Sequence, residues 1–318
     1  MLRLAIELTG CVRSLGLTLP HKVAAVAEAR AAGFAVDMFC MLQSCTTGGA
    51  TNGAHELNMI RNLSAGVEAA GGDVVDCSYV SFDEGSLTTS GWLKPLLQAK
   101  HPDYPYARWQ RTDKRNLDRT VAQAHKWQQV RALRATSGRA YDLVWRQRPD
   151  YVSAGIHLRD VASMLLASNA TESYAVPGPC VGGAHTDVEA VLTPAAADRW
   201  DALFTHIPNM YKAHENQSHP VKQTFGKRWW GPEVLVDEHM RGAGLRYTFL
   251  PGATLFRCSS HCFGDELPCR QLVSTTDRCS SDSALAPRCF EEAACQAVPL
   301  PVRASLPRTS THTHTSSS

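Results

Sequence analysis

Several features of common protein classes are missing from this sequence. No apolar run approaches the roughly 18 residues that cross a bilayer, so we expect no transmembrane segment. Charge of one sign is not in excess either: 32 basic residues face 30 acidic ones, which argues against broad binding of nucleic acid or membrane surfaces. P-loop, GxGxxG, GxSxG and HExxH motifs are absent, and their absence removes several common enzyme classes.

The beginning of the sequence also lacks the pattern of a secretory signal peptide. Arg3 and Glu7 interrupt a short run of apolar residues, and no cleavage pattern follows. A soluble compartment is therefore the default expectation. A Golgi or secretory location stays open if the start codon is misplaced and an upstream anchor is missing.

Eleven cysteines are present, but none of them forms a CxxC pair. Six lie between Cys258 and Cys295, and the odd total excludes complete pairing within the chain. The spacing of Cys258, His261 and Cys262 matches no common zinc module. The sequence leaves open whether the late cysteines are free thiols or disulfides.

The order of predicted elements indicates an α/β fold. Apolar stretches predict strands, and stretches rich in helix formers that end at glycine predict helices. The predicted strands are Leu2–Leu8, Phe34–Leu42, Asp73–Phe82, Tyr141–Arg146, Val188–Leu192 and Leu245–Leu250. The predicted helices are Lys22–Ala32, Ala54–Ala70, Asn116–Thr136, Pro194–Phe204 with Thr193 as N-cap, and Pro232–Arg241. This alternation predicts a mostly parallel sheet with helices on both faces.

The composition changes near residue 258. Residues 1–257 are predicted to form the α/β domain. Residues 258–318 are rich in Cys, Ser, Thr and Pro, and we expect them to be a largely disordered tail. No internal repeats are visible.

Ligands of parallel sheets bind beyond the carboxyl ends of the strands, and the first candidate residues follow the first strand. Gly10 allows the backbone to approach a ligand closely, Arg13 can donate two hydrogen bonds to a phosphate, and Ser14 can donate another. The alternative is an ordinary turn with a surface arginine.

The stretch Tyr141–Tyr151 is the strongest candidate. An apolar strand leads directly into Arg146, Arg148 and Asp150. Buried charges of this kind need partners. A diphosphate would satisfy the two arginines, and a divalent metal or sugar hydroxyls would satisfy Asp150. The alternative is an internal salt bridge between arginine and aspartate.

Two weaker candidates follow later in the chain. His185 and Asp187 precede the strand predicted at Val188–Leu192 and could bind an acceptor or a metal, but a lone His-x-Asp is a weak signal and a capped loop is the favoured interpretation. Glu233 lies in the first turn of a predicted helix, where the helix dipole favours a carboxylate even without a catalytic role.

Three short stretches together resemble a family of uncharacterised GT-A glycosyltransferase-like proteins of algae, oomycetes and related eukaryotes. A Gly-x-x-Arg-Ser element ends the first strand, and a strand of the pattern YDxxxRxRPD spans Tyr141–Asp150. A "PE-x-L" helix at Pro232–Leu235 and "F-hydrophobic-P" at Phe249–Pro251 come later. The resemblance covers roughly residues 2–256.

This resemblance implies a GT-A-like, Rossmann-like fold that binds a nucleotide-diphosphate sugar and transfers the sugar to a hydroxyl of a glycan or protein acceptor. By analogy Asp150 occupies the place of the carboxylate motif that binds metal and diphosphate, with Glu233 or Asp187 acting on the acceptor. The sequence has Arg148-Pro149-Asp150 instead of Asp-x-Asp, so a requirement for Mn²⁺ or Mg²⁺ is in doubt. The alternative is a catalytically inactive module that binds a glycan or nucleotide sugar.

Overall fold

The computed structural model describes residues 1–12, 15–44, 53–80, 114–167, 173–176, 189–213, 232–249, 254–258 and 269–274. The strands described are β1 (Arg3–Cys11), β2 (Ala35–Gln43), β3 (Asp73–Val80), β4 (Leu143–Gln147), β5 (Tyr151–Ala154), β6 (Ser173–Val176), β7 (Ala190–Leu192), β8 (Arg246–Phe249), β9 (Thr254–Cys258) and β10 (Cys269–Ser274). The helices described are α1 (Leu15–Ala31), α2 (Gly53–Ala69), α3 (Lys114–Thr136), α4 (Leu158–Ala167), α5 (Pro194–Asp201), α6 (Leu203–Ala213) and α7 (Pro232–Gly242).

A seven-stranded sheet forms the centre of the protein, in the order β3-β2-β1-β4-β7-β6-β8. β7 runs antiparallel to its neighbours β4 and β6, whereas the other pairs are parallel. The predicted α/β class, with a mostly parallel sheet flanked by helices, is confirmed. The chain moves outward from β1 to β3 and then returns to the other side of β1 as β4. The strand order therefore reverses between β1 and β4, which is where such sheets bind ligands.

Helices cover both faces of this sheet. One face packs against α3, α5, α6 and α7, and Trp127 and Trp200 lie in its core. The other face packs against α1, α2 and α4, and Leu63 and Leu165 lie in its core. Among the described helices none is both long and apolar enough to span a bilayer.

Most predicted elements are confirmed within a few residues, and the start of α5 is confirmed in detail. The Thr193 hydroxyl accepts a hydrogen bond from the Ala196 N–H, and Pro194 occupies the first helical turn. The helix predicted to continue through Phe204 is instead two helices. They meet at Ala202, whose N–H is shared between the carbonyls of residues 198 and 199.

A second sheet of three strands has the order β10-β9-β5, and both of its pairs are antiparallel. The sequence predicted none of these three strands. β10 even lies inside the segment that was expected to be a largely disordered tail. β10 is defined by its pairing with β9, which is distant in sequence, whereas hydrophobic periodicity detects only local patterns.

Candidate functional site

The first two candidate stretches meet at the carboxyl ends of β1 and β4. These strands pair in parallel, with Leu8 opposite Gln147, so Gly10 and the Arg148–Asp150 turn follow at the same edge of the sheet. Gly10 has a φ of +145°, and a Cβ atom on it would lie 2.8 Å from Pro149 Cδ. Only glycine allows this close approach between the end of β1 and the turn after β4.

Arg148 and Asp150 form a bidentate ion pair in that turn. Arg148 Nε donates to Asp150 Oδ1 and Nη2 donates to Oδ2, both at 3.0 Å. The guanidinium also lies over the Tyr151 ring, 5.0 Å from its centroid. The Asp150 side chain is 6% exposed, but that of Arg148 is 23% exposed. The salt bridge considered as an alternative is thus present, and its cation still reaches solvent.

Arg146 requires a correction. Its side chain is fully buried, and Nη2 donates to Glu7 Oε2 at 2.7 Å and to the carboxylate of Asp201. Arg134 pairs with the other oxygen of Glu7 at 2.9 Å. We call these four residues (Glu7, Arg134, Arg146 and Asp201) the interior ion network. Because its guanidinium is enclosed and paired, Arg146 is not available to a diphosphate, contrary to the prediction.

The position of Arg146 within β4 explains this outcome. Its guanidinium lies between Trp127 and Trp200, 5.5 and 5.3 Å from their ring centroids. Both tryptophans belong to helices that cover the middle of the sheet, so the arginine points into a packed layer. Arg148 comes one residue after β4 ends at Gln147, and its side chain is 23% exposed.

A second group of charges lies on the face covered by α1. The Thr18 hydroxyl donates to the Pro149 carbonyl at 2.6 Å, which holds α1 against the turn after β4. Lys22, one helical turn later on the same face of α1, is only 4% exposed and interacts electrostatically with Glu189 and Asp150. We call Lys22, Arg148, Asp150 and Glu189 the edge cluster.

Glu189 is held in place at the start of β7. It is 2% exposed, and its Oε1 accepts hydrogen bonds from Trp145 Nε1 and Ser153 Oγ, both at 2.7 Å. Burial raises the pKa of Glu189, whereas Lys22 and these hydrogen bonds lower it. Burial likewise lowers the pKa of Lys22 to about 8, against the opposing effect of Glu189 and Asp150. Lys22 therefore remains mostly protonated at neutral pH.

Gln147, the last residue of β4, adds an unusual feature to this edge. It is 1% exposed, and neither its amide oxygen nor its amide nitrogen has a hydrogen-bond partner among the described residues. An unsatisfied buried amide costs about 1–3 kcal/mol. Such a group at the end of a strand is accounted for by a water molecule or by a ligand.

Within the described parts of the chain, the residues around Asp150 do not fit a divalent metal. Both of its carboxylate oxygens are already 3.0 Å from Arg148 nitrogens. In the described parts of the chain, no three His, Cys, Asp or Glu residues form a group that could hold a metal ion. The question that the missing Asp-x-Asp pattern raised about Mn²⁺ or Mg²⁺ stays open.

The other predicted site residues cannot be placed by their side chains. Arg13, Ser14, His185 and Asp187 lie outside the described residues, and so does the side chain of Glu233. The backbone of Glu233 lies in the first turn of α7, which leads into β8 through Gly244. Because α7 runs back against β8, this turn lies at the same edge of the sheet as the edge cluster. The roles assigned to these five residues stay predictions.

Sequence reasoning missed two members of the edge cluster. Lys22 was interpreted only as the beginning of a predicted helix, and Glu189, within the strand predicted at Val188–Leu192, was given no role. A lysine one turn after Thr18 on an otherwise apolar helix face is a weak signal. Glu189 comes near Asp150 through the pairing of β7 with β4, and Lys22 through the packing of α1 against the turn after β4, neither of which the sequence reveals.

No family model matches the chain, and no curated protein matches it. Among solved structures it is similar to the glycosyltransferase GlyE of Streptococcus pneumoniae TIGR4, with 12% identity and a TM-score of 0.35. That match covers 79% of this chain but only 46% of GlyE, so the chain spans less than half of that protein.

Mouse xyloside xylosyltransferase 1, in its apo form, is also similar. The identity is 11% and the TM-score is 0.31, with 78% of this chain and 84% of the mouse protein covered. Both similar structures are glycosyltransferases by name. At identities and TM-scores this low, neither similarity decides the fold or the chemistry of this chain.

Proposed function

We propose that this protein is a GT-A-like glycosyltransferase that takes a sugar from a nucleotide-diphosphate sugar and transfers it to a hydroxyl group of a glycan or protein. The observation that carries the proposal is the meeting of Gly10, Arg148 and Asp150 at the point where the strand order reverses between β1 and β4. A crevice at this point is the expected ligand site of an open α/β sheet. The single antiparallel strand β7 in an otherwise parallel sheet is compatible with the GT-A resemblance.

In this proposal Arg148 binds the diphosphate and stabilises the negative charge of the departing nucleotide. Asp150 holds the planar guanidinium in one orientation through two hydrogen bonds. Arg13 and Ser14, which follow Gly10, supply further donors, and Asp187 or Glu233 orients or deprotonates the acceptor hydroxyl. No step requires a metal ion.

The proposal is tested by screening nucleotide sugars for thermal stabilisation and for hydrolysis, with and without Mn²⁺ or Mg²⁺. We expect at least one donor to raise the melting temperature of the wild type and to be hydrolysed slowly. Arg148→Met should lose both responses. The absence of any response with every donor, in either metal condition, contradicts the proposal.

A second candidate function is a non-catalytic module that binds a nucleotide sugar or a glycan. The observation in its favour is that both oxygens of Asp150 accept hydrogen bonds from Arg148, so this carboxylate orients the Arg148 guanidinium. Asp150→Ala discriminates the two functions. If the wild type binds a donor without turning it over, and Asp150→Ala changes only the affinity for that donor, the protein is a non-catalytic binding module.

We further propose that the chain matures in an oxidising compartment. Cys11, at the end of β1, is disulfide-bonded, whereas Cys40 and Cys77 are free. Structural disulfides persist mainly in secreted proteins and in the secretory pathway, a location that the sequence left open. Mass spectrometry of the alkylated protein from its native source should find Cys11 blocked before reduction. Free Cys11 there would contradict this assignment.

A further inference from the structure

The edge cluster contains a buried lysine to which neither the sequence nor the proposed mechanism assigns a role. Lys22 is 4% exposed, and an ammonium group at this depth is costly unless opposite charges surround it. Asp150 and Glu189 interact with it electrostatically. Each of these carboxylates also accepts two hydrogen bonds, from Arg148 and from the pair Trp145 and Ser153 respectively.

The charges that act on this lysine come from separate segments. Lys22 belongs to α1, Asp150 to the turn after β4, and Glu189 to the start of β7. The hydrogen bond from Thr18 to the Pro149 carbonyl fixes the distance between α1 and the turn independently of any charge. With Lys22 and Arg148 opposing Asp150 and Glu189, the edge cluster carries no net charge.

We propose that Lys22 is a positioning residue of the ligand site, which balances the carboxylates of Asp150 and Glu189 from the buried face of α1. This inference rests on the proposed function for its ligand, a diphosphate. Removing the ammonium group leaves one uncompensated carboxylate beside the place where the phosphates bind. The added negative charge repels the ligand, and Asp150 no longer holds Arg148 in its orientation.

The test measures the affinity of uridine diphosphate and guanosine diphosphate by calorimetric titration. Lys22→Met should weaken the binding of whichever nucleotide the wild type binds by about tenfold or more, the size expected for one unpaired charge near a ligand. Lys22→Met combined with Glu189→Gln should regain most of the affinity, because glutamine removes the unpaired charge and still accepts from Trp145 and Ser153. Loss of packing alone would not be rescued in this way.

Arg139→Met is the control for loss of one positive charge. Arg139 pairs with Asp37 and Asp73 at the opposite edge of the sheet, at 3.0 and 2.8 Å, so its replacement should leave the affinity unchanged. The inference is overturned if Lys22→Met binds the nucleotide as the wild type does. It is equally overturned if the double variant stays as weak as the single one.

A second measurement separates this inference from the proposed function. If the wild type binds neither nucleotide, the proposed binding of a diphosphate is contradicted. Urea unfolding of Lys22→Met, Glu189→Gln and the double variant then tests the positioning role of Lys22 without a ligand. Non-additive changes in unfolding midpoint support the positioning role, because the two residues then depend on each other. Additive changes refute it.

Discussion

Two clusters of buried charges lie on opposite faces of the same sheet. The interior ion network joins Glu7 of β1 and Arg146 of β4 to residues of α3 and α5, and Trp127 and Trp200 enclose it. The edge cluster joins α1, the turn after β4 and the start of β7, and its Arg148 is 23% exposed. Both contain two cations and two carboxylates.

The difference between them is their position along the strands. A charge in the middle of β4 is covered by helices on its face, and it can only be satisfied by other residues of the protein. A charge just beyond the end of β4 lies where helices and strands no longer overlap, so a ligand can reach it. Arg146 and Arg148, two residues apart, thus have different roles, which we assign to folding and to binding.

The largest expected effect is loss of stability in Arg146→Met. Removing this cation leaves Glu7 and Asp201 buried with fewer partners, and breaking a buried network of this kind typically costs roughly 3–5 kcal/mol. Urea unfolding measures the loss. Arg148→Met should cost less than about 1 kcal/mol, since a partly exposed pair contributes little. Equal losses in the two variants would break the comparison.

A smaller effect concerns stability above pH 8, where Lys22 of the edge cluster titrates. The pKa of Lys22 in the folded protein is lowered to about 8 from 10.5. Between these values the unfolded chain holds the proton more tightly, so stability increases as pH rises from 8 to 10.5.

Lys22→Met lacks this titration, so the wild type should gain free energy of unfolding relative to the variant across that pH range. Urea unfolding of the wild type and Lys22→Met at several pH values measures the difference. Parallel pH profiles for the two proteins would contradict the burial of a charged Lys22.

The smallest effect is expected at Gln147. Its amide is buried without a hydrogen-bond partner among the described residues, so Gln147→Met should raise the free energy of unfolding, by about 1 kcal/mol. Methionine has a similar length and no polar group to leave unsatisfied. Thermal unfolding without ligand measures the change. A loss of stability instead would show that an ordered water already satisfies this amide.

Much of the fold could be predicted from the sequence because its strands and helices follow local rules. β1 and β2 are continuous apolar stretches, and Thr193 with Pro194 marks a helix start that the structure reproduces. β10 was missed because it is defined by its distant partner β9.

The candidate site was predictable only in part. Gly10, Arg148 and Asp150 follow apolar strands, so the rule for carboxyl ends places them together. The same rule misassigned Arg146, because the sequence does not show that the buried part of β4 extends past Arg146 to Gln147. Glu189 depends on the antiparallel insertion of β7 beside β4, and Lys22 on the packing of α1 against the turn after β4, which no local pattern indicates.

The central claim is that the carboxyl edge of β1 and β4 binds a diphosphate through Arg148. The most direct measurement is calorimetric titration of the nucleotide sugar selected by the screen onto the wild type, Arg148→Met and Arg139→Met. We predict that Arg148→Met binds roughly 10- to 100-fold more weakly, the size of a lost charge-assisted hydrogen bond, and that Arg139→Met binds as the wild type does. Equal affinity for all three proteins would contradict the claim.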